Sequence, residues 1–230
     1  MWNYSELAKT YDDRPAYSKT IIETLFKKTK ARNVCDIGAG TGILTCQLLE
    51  QSDRVVAVEP NLNMLRIGET KTKLVWVNAY AENTGLQEKF DLITYGSSFN
   101  VCMQTEALQE ARRILKTNGF IACLWNHRNL TDPLQKEIES IIQFHIPHYQ
   151  YGKRREDQSP ILKAHGWKPE YFEAKFTHVF SKESYIRATE SHCTLKSQSE
   201  NKFETILKEI SNILPPTFEV PYKTVMWIAQ

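Results

Sequence analysis

The stretch that decides the fold is VCDIGAGTG, residues 34–42. A short apolar run ends at three glycines, and helix-forming residues follow over about 42–51. Glycine allows positive φ angles and lets a backbone approach a ligand closely. A helix that begins at such a turn presents free N–H groups and the positive end of its dipole. The stretch therefore predicts a strand, a tight ligand-binding turn and a helix.

Two periodicities alternate on either side of this stretch. Apolar runs predict strands at 34–37, 54–58, 74–77, 90–95, 120–125, 172–180 and 218–228, and helical spacing predicts helices at 17–26, 42–51, 62–68, 104–116, 134–146 and 203–214. Strands that alternate with helices are typical of βαβ units and of a parallel sheet covered on both faces. The two late strands predict an antiparallel pair at one edge. We therefore expect an α/β fold with a doubly wound, mostly parallel sheet of seven strands, an antiparallel edge strand and a small helical cap.

Composition and charge exclude several classes of protein. The chain has 230 residues, of which 41% are hydrophobic and 24% charged, and this balance argues against disorder. A formal net charge of +2 gives no global field toward nucleic acid or a membrane surface, and no apolar run reaches the roughly 18 residues of a membrane helix. Five scattered cysteines without a C-x-x-C motif, and a start without a signal-peptide pattern, predict reduced thiols in a cytoplasmic protein.

The glycine spacing discriminates between two ligands that such a turn serves, a dinucleotide pyrophosphate and the amino-acid part of S-adenosylmethionine. A dinucleotide turn has the spacing G-x-G-x-x-G. Gly38 and Gly40 fit that spacing, but Ile43 occupies the third position, one residue after the third glycine. Asp36, two positions before the first glycine, would repel a pyrophosphate but can pair with an ammonium group. The spacing favours the amino acid.

Two further anchors follow the second and third predicted strands. Glu59 ends the second strand, 21 positions after Gly38. That matches the separation of about 20 residues at which an acid accepts hydrogen bonds from ribose hydroxyls. The segment Asn78–Glu82 follows the third strand, where an adenine ring would lie. The three anchors therefore come in the order that an adenosyl amino acid requires.

Over residues 4–125 the chain resembles the class I S-adenosylmethionine-dependent methyltransferases. In that family a D-x-G-x-G-x-G motif binds the methionine part, an acid after the second strand holds the ribose, and the segment after the third strand frames the adenine. The resemblance implies a Rossmann-like methyltransferase fold with S-adenosyl-L-methionine as co-substrate, and the histidines show no spacing that predicts a metal. The cofactor-binding residues that it implies are Tyr11, Arg14, Asp36, Gly38, Ala39, Gly40, Gly42, Glu59, Pro60, Met64, Ala79, Tyr80, Ala81 and Tyr95.

Three segments resemble a subgroup that methylates small molecules. They are AKTYDDRPAY at 8–17, LWNHR at 124–128 and PYKT at 221–224. In that subgroup the N-terminal stretch folds over the cofactor, which implies that Tyr11 and Arg14 lie near its sulfonium and carboxylate groups. Relatives often carry His-Trp just after the fourth strand, whereas this chain has GSSFNV at 96–101. A general base from that position is therefore not expected here.

Methyl transfer from a sulfonium needs mainly positioning, although a hydroxyl acceptor also needs a group that removes its proton. Candidates lie beyond the carboxyl ends of the parallel strands, where ligands bind in open sheets. We predict His127, directly after the fifth strand, as the base, with Asn100 and Tyr11 as further catalytic candidates and Asn126 on the substrate side. An exposed loop position is the alternative for the histidine. The basic cluster at 153–155, followed by Glu-Asp, is interpreted as a solvated loop.

We predict a single domain over residues 1–230. Its segments are an N-terminal helical cover over the cofactor (1–30), a cofactor-binding core (31–125), a substrate lid (126–215) and the final strand (216–230). The predicted function is methyl transfer to an oxygen or nitrogen of a small-molecule metabolite. Methylation of a protein or tRNA, and a non-catalytic S-adenosylmethionine-binding module, are the alternatives. We expect a small-molecule partner, no membrane and no nucleic acid, while the oligomeric state is not predicted.

Overall fold

The computed structural model describes residues 8–230, apart from the side chain of Lys153. Residues 1–7, which begin the predicted N-terminal cover and belong to the start without a signal-peptide pattern, lie outside the described residues. Within residues 8–230, no helix combines the length and the apolar character needed to cross a bilayer. The same residues contain no group of three or more His, Cys, Asp or Glu side chains arranged to hold a metal ion.

Seven strands form one sheet: β1 (Asn33–Ile37), β2 (Arg54–Val58), β3 (Val75–Val77), β4 (Phe90–Gly96), β5 (Leu115–Arg128), β6 (Pro169–Ser181) and β7 (Thr217–Ala229). Their order across the sheet is β3-β2-β1-β4-β5-β7-β6. The first five strands are parallel, and β7 runs antiparallel to both β5 and β6. The predicted seven-stranded, mostly parallel sheet is confirmed, and its antiparallel strand is β7, second from the edge.

Helices cover the sheet and build the cap. They are α1 (Lys19–Thr29), α2 (Ile43–Leu49), α3 (Leu62–Lys71), α4 (Gln104–Ile114), α5 (Pro133–His145), α6 (Ser159–Ala164), α7 (Lys182–Glu190), α8 (Cys193–Gln198) and α9 (Phe203–Ile213). Local sequence fixes two of the helix starts. Asn61 accepts hydrogen bonds from the first turn of α3, and Asp132 accepts one from the first turn of α5. These side chains satisfy N–H groups that have no partner inside the helix.

Both faces of the sheet are buried. In β4, Leu92 belongs to an apolar cluster with Leu25 of α1, whereas the next residue, Ile93, belongs to a cluster with Leu108 of α4. Adjacent residues of a strand point to opposite faces. The nearly continuous apolar run of β4 is therefore the sequence consequence of burial on both sides.

The cap has its own apolar cluster and packs on the far ends of β6 and β7. Phe180 of β6 pairs with Phe218 of β7, and both belong to a cluster with Ile142 of α5 and Leu207 of α9. The segment 126–215, predicted as a lid, thus contains the sheet strand β6 as well as the cap helices that precede and follow it. The cap is supported by the sheet itself.

Candidate active site

The turn between β1 and α2 lies against the end of β2. The N–H groups of Gly38 and Ala39 both donate to the carbonyl of Val58, at 2.8 and 3.1 Å. Gly38 has a φ of +68°, and a Cβ placed there would stand 2.4 Å from the Cβ of Ser98. Glycine is required at this position because the backbone angle and the neighbouring loop both exclude a side chain.

Glu59 joins the glycine turn to the end of β2. Its carboxylate accepts hydrogen bonds from the backbone N–H groups of Gly40 and Asn61, each at 2.8 Å. The residue is 6% exposed. Burial raises the pKa of Glu59, while the two N–H groups act in the opposite direction. Because each carboxylate oxygen has a second lone pair, Glu59 can accept further hydrogen bonds from a ligand.

Asp36 lies at the end of β1, just before the turn. Its carboxylate accepts hydrogen bonds from the hydroxyls of Thr45, at 2.6 Å, and Thr94, at 2.7 Å. Burial raises the pKa of Asp36 to about 6, against the opposing effect of the two hydroxyls. The residue lies on a cavity wall, so its negative charge can act on a bound cation.

A cavity of about 400 Å³ extends from the glycine turn to the cap helices. One part, which we call the loop half, is lined by Tyr11, Arg14, Asp36 and residues 38–40. The other part, the cap half, is lined by residues of the strand ends and the cap, including Arg128, Tyr149, Arg154, Arg155, Tyr185 and His192. The glycine turn and the cap therefore face one shared space.

Hydrogen bonds hold the N-terminal segment against β5 and β7. They connect the three segments 8–17, 124–128 and 221–224 that the sequence analysis singled out. Asn126 donates through Nδ2 to the carbonyls of Pro15 and Ala16, each at 3.1 Å. Its Oδ1 accepts from the hydroxyl of Thr224 at 2.6 Å, and that hydroxyl accepts from the backbone N–H of Ser18 at 2.9 Å. Asn126, predicted on the substrate side, lines the cavity and anchors the N-terminal segment.

Tyr11 and Arg14 lie between the glycine turn and the cap. The Cε1 atom of Tyr11 lies 3.7 Å from where a Cβ on Gly40 would stand. The guanidinium carbon of Arg14 lies 4.1 Å from the centre of the Tyr11 ring, and its Nε donates to the hydroxyl of Ser191 at 2.7 Å. The structure therefore brings both residues to the loop half of the cavity.

Gly42 and Met64 lie near the turn without lining the cavity. Gly42 precedes the first residue of α2 and has a φ of +87°. Met64, in α3, is buried, and its sulfur lies 3.7 Å from where a Cβ on Gly40 would stand. Both residues support the shape of the turn.

The predicted ribose and adenine residues follow β2 and β3 at the same edge of the sheet. Asn78 donates through Nδ2 to the carbonyls of Glu59 and Pro60, at 3.0 and 2.9 Å. This pair of hydrogen bonds ties the end of β3 to the end of β2. Tyr80 is 59% exposed, and neither Glu59 and Pro60 nor residues 79–81 belong to the lining of the cavity.

Asn100 and Tyr95 point to different places. Asn100 lines the cavity, and its Oδ1 accepts from the indole N–H of Trp125 at 2.8 Å. Tyr95, predicted as a cofactor-binding residue, is fully buried and donates to the carbonyl of Ala107 in α4 at 3.2 Å. The structure does not bring Tyr95 to the cavity, because this strand position points toward α4.

His127 also lies outside the cavity lining, contrary to its predicted role as the base. The residues before and after it line the cavity, whereas His127 is 7% exposed and faces the other side of β5, beside Lys223. A strand reverses side-chain direction at every residue. Burial, with the nearby Arg155, Arg154 and Lys223, lowers the pKa of His127 to about 3. Both its position and its low basicity argue against the predicted role.

Sequence reasoning missed much of the cap half. The interpretation of residues 153–155 as a solvated loop is wrong for Arg154 and Arg155, which line the cavity. Strand alternation could have identified Arg128, two residues after Asn126, but no periodicity marks the two arginines of the loop. The other lining residues that were missed include Tyr17, Ser97, Tyr149, Tyr185 and His192.

Comparisons with known proteins agree with this geometry. A family described as a methyltransferase domain matches residues 35–123. An uncharacterised methyltransferase of Schizosaccharomyces pombe is 28% identical over 145 residues, which cover 60% of this chain and 58% of that protein. A demethylmenaquinone methyltransferase of Staphylococcus epidermidis is 25% identical over 211 residues, covering 84% of this chain and 87% of that protein. The chain spans little more than half the length of the fission yeast relative.

A solved structure shares the fold. An S-adenosylmethionine-dependent methyltransferase of Thiobacillus denitrificans, in complex with S-adenosylhomocysteine, superposes with a TM-score of 0.54 at 9% identity, covering 100% of this chain and 99% of that one. The family match spans β1 to β5, the segment that contains the glycine turn and Glu59. Residues 35–123 of this chain therefore match a methyltransferase domain, on a fold that is shared with an S-adenosylmethionine-dependent methyltransferase.

Proposed function

We propose that this protein transfers the methyl group of S-adenosylmethionine to an oxygen or nitrogen atom of a small-molecule metabolite. The observation that carries the proposal is the 2.8 Å hydrogen bond from the Gly40 N–H to the Glu59 carboxylate. It joins the glycine turn to the acid that follows β2, and the turn faces a cavity that continues beneath the cap. Both ends of an adenosyl amino acid can therefore be held at one site.

The residues of the loop half, together with the adjacent Glu59, fit such a ligand. Gly38 and Gly40 leave the turn without side chains, so a ligand can contact the backbone directly. Glu59 has lone pairs for ribose hydroxyls, and the negative charge of Asp36 favours an ammonium group. Arg14, also on the cavity wall, supplies a cation for the ligand's carboxylate.

Positioning is the main contribution that this chain would make to catalysis. When bound, S-adenosylmethionine supplies a methyl group that its sulfonium already activates for nucleophilic attack. Holding the reacting groups in line can contribute about 7–11 kcal/mol. The cap and the N-terminal segment, anchored through Asn126 and Thr224, restrict where an acceptor can lie in the cavity.

The electrostatics of the cap half favour an acceptor that needs no strong base. His192 is the histidine on the cavity wall within the described residues, and burial with nearby guanidinium groups lowers its pKa well below the usual range. Its imidazole is therefore neutral at neutral pH and a weak proton acceptor. A neutral amine or an already ionised oxygen can attack without one.

A small-molecule acceptor is supported by the enclosure of the cap half and by a relative. The Staphylococcus epidermidis protein, which matches over 84% of this chain, is named for a small-molecule substrate, demethylmenaquinone. The formal net charge of +2 provides no broad attraction to nucleic acid.

The proposal is tested by calorimetric titration of S-adenosylhomocysteine into the wild-type protein and into Glu59→Gln. We expect saturable binding by the wild type and at least a 30-fold weaker affinity for the variant, because the amide loses charge-assisted hydrogen bonds. Glu88→Gln is the matched control, since Glu88 pairs with Arg54 on the surface. A folded wild type that does not bind at millimolar ligand would contradict the proposal.

Turnover separates an enzyme from a non-catalytic binding module. The wild-type protein is incubated with S-adenosylmethionine and a mixture of metabolites, and formation of S-adenosylhomocysteine is followed by mass spectrometry. We expect product formation that depends on the metabolite fraction and is lost in Glu59→Gln. Product formation only with added protein or tRNA would favour those acceptors instead.

A further inference from the structure

The cap half of the cavity carries an excess of positive charge. Four arginines line the cavity: Arg14, Arg128, Arg154 and Arg155. Asp36 is the acidic residue on the same wall within the described chain. Burying several guanidinium groups together is unfavourable unless anions compensate them.

Arg128 is compensated by the protein. It forms an ion pair with Glu139 at 2.7 Å, in which the two side chains are 16% and 8% exposed. It also donates to Gln135 Oε1 at 2.7 Å and to the Tyr185 hydroxyl at 3.1 Å. Its charge and its donors are largely satisfied, so Arg128 has a structural role.

Arg154 and Arg155 are not compensated in this way. Within residues 8–230, neither guanidinium has a carboxylate within 4.0 Å, and the buried Nε atoms of both lack a hydrogen-bond partner. Arg154 Nη2 lies 3.4 Å from the neutral His192 ring, and Arg155 Nη2 donates to the Arg128 carbonyl at 3.4 Å. Burial, with the nearby Arg14, Arg128 and Arg155, lowers the pKa of Arg154 to about 10. The side chain thus remains charged at neutral pH.

The proposed co-substrate does not supply the missing negative charge. S-adenosylmethionine carries one carboxylate but two cationic centres, an ammonium and a sulfonium. Arg14, beside the glycine turn, is placed for that single carboxylate. Arg14 contacts Ser191 and Arg154 contacts His192, so the two guanidinium groups approach the same turn between α7 and α8.

We propose that Arg154 and Arg155 bind an anionic group of the methyl acceptor, a carboxylate or a phosphate, in the cap half of the cavity. This inference rests on the proposed function, because the glycine turn and the two arginines line one cavity. A planar guanidinium with free N–H groups suits both anions through paired hydrogen bonds. The acceptor class is therefore an organic acid or a phosphate ester.

The test titrates defined probes into the protein saturated with S-adenosylhomocysteine, at constant ionic strength. Citrate and glutarate probe for a carboxylate, glycerol 3-phosphate probes for a phosphate, and glutaramide is the neutral counterpart. We expect saturable binding of at least one anion and none of glutaramide. Binding of citrate or glutarate alone identifies a carboxylate site, and binding of the phosphate alone identifies a phosphate site.

The variants Arg154→Gln and Arg155→Gln are expected to weaken anion binding at least tenfold and to change S-adenosylhomocysteine affinity less than threefold. Arg154→Lys should recover part of the anion affinity, since it restores the charge without the planar donor pair. Arg66→Gln, on an exposed face of α3, is the matched control and should bind as the wild type does. Circular dichroism establishes that each variant is folded.

Three results would overturn the inference while leaving the proposed function intact. They are equal binding of glutaramide and glutarate, no saturable binding of any anion, or anion binding that both variants retain. A fourth such result is a parallel loss of S-adenosylhomocysteine affinity in Arg154→Gln, which would assign that arginine to the cofactor. Failure of the wild type to bind S-adenosylhomocysteine would instead remove the proposed function.

Discussion

The loop half and the cap half of the cavity satisfy their polar groups in different ways. In the loop half, Asp36 accepts two hydroxyl hydrogen bonds and the nearby Glu59 accepts two backbone N–H groups, so each acid is already held in place. In the cap half, Arg154 and Arg155 have buried Nε atoms without partners among residues 8–230. The first arrangement is complete within the protein, whereas the second needs an anion to balance it. This difference is what we expect if, as proposed, one half binds a cofactor of constant structure and the other binds an acceptor that brings its own charge.

The largest effects are expected from removing a compensated and an uncompensated arginine. Arg128→Met leaves the buried Glu139 without its cationic partner and should lower the free energy of unfolding by about 3–5 kcal/mol. Arg154→Met removes a buried charge that has no carboxylate partner and should raise it by about 1–2 kcal/mol. Urea unfolding of the ligand-free proteins measures both values. Equal destabilisation by the two substitutions would show that the two arginines of the cap half do not differ in this respect.

Gly38→Ala tests the rigidity of the loop half. The substitution combines a positive φ with a Cβ only 2.4 Å from that of Ser98, and should lower the free energy of unfolding by about 3 kcal/mol. Gly85→Ala is the control, because Gly85 has a φ of +69° but nothing within 4 Å of an added Cβ. It should cost only about 1 kcal/mol, from the backbone angle alone. Similar costs at both positions in urea unfolding would contradict the packing described for the turn.

Asp36→Asn should change how stability depends on pH. The folded-state pKa of about 6 lies above the ordinary value of 3.8, so the wild type takes up a proton on folding between these values. The wild type therefore loses stability as pH rises from about 4 to 6, whereas the variant does not. Between about pH 3 and pH 7 the difference in unfolding free energy should shift toward the variant by about 3 kcal/mol, while the affinity of the variant for S-adenosylhomocysteine falls.

Asp91→Asn is a control in which the change of stability with pH should have the opposite sign. Partial burial acts to raise the pKa of Asp91, but Lys116 and the N–H groups of Asn33 and Arg32 hold it below the usual range. The wild type therefore gains stability as pH rises through the acidic range, and the variant lacks that gain. Chemical unfolding at one-unit intervals from about pH 2 to pH 7 measures both variants, because the effect of Asp91 lies at and below its ordinary pKa of 3.8. If the difference in unfolding free energy between variant and wild type changed with pH in the same direction for both substitutions, the contrast between the two acids would be refuted.

His127→Gln is expected to have the smallest effect. Because this side chain faces away from the cavity, turnover should change less than about threefold, whereas loss of a general base costs about 100-fold to 10,000-fold. Formation of S-adenosylhomocysteine with an active acceptor gives the comparison. A 100-fold loss in a folded variant would restore His127 as the base.

The loop half could be predicted from the sequence because its residues lie within a few positions of strand ends. The glycines at 38–42 and the acid at 59 have a spacing that the βαβ unit fixes. The alternation of strands and helices likewise predicts the sheet. It does not predict the strand order that places β7 between β5 and β6, since that order depends on contacts distant in the chain.

The cap half could not be predicted because it depends on side-chain direction and on distant contacts. Because side chains alternate between the two faces of a strand, an error of one residue in a predicted strand position assigns Tyr95 or His127 to the wrong face of the sheet. Arg154 meets His192, 38 positions further along the chain, only after the cap folds. A Lys-Arg-Arg segment followed by Glu-Asp has the composition of a solvated loop. No local pattern distinguishes such a loop from one whose side chains line a cavity.

The most direct test of the central claim is a crystal structure of the protein with S-adenosylhomocysteine. We expect the ribose hydroxyls within about 2.6–3.2 Å of the Glu59 carboxylate, and the sulfur facing the cap half that Arg154 and Arg155 line. A nucleoside bound away from Glu59, or a sulfur that points away from the cap half, would contradict the account.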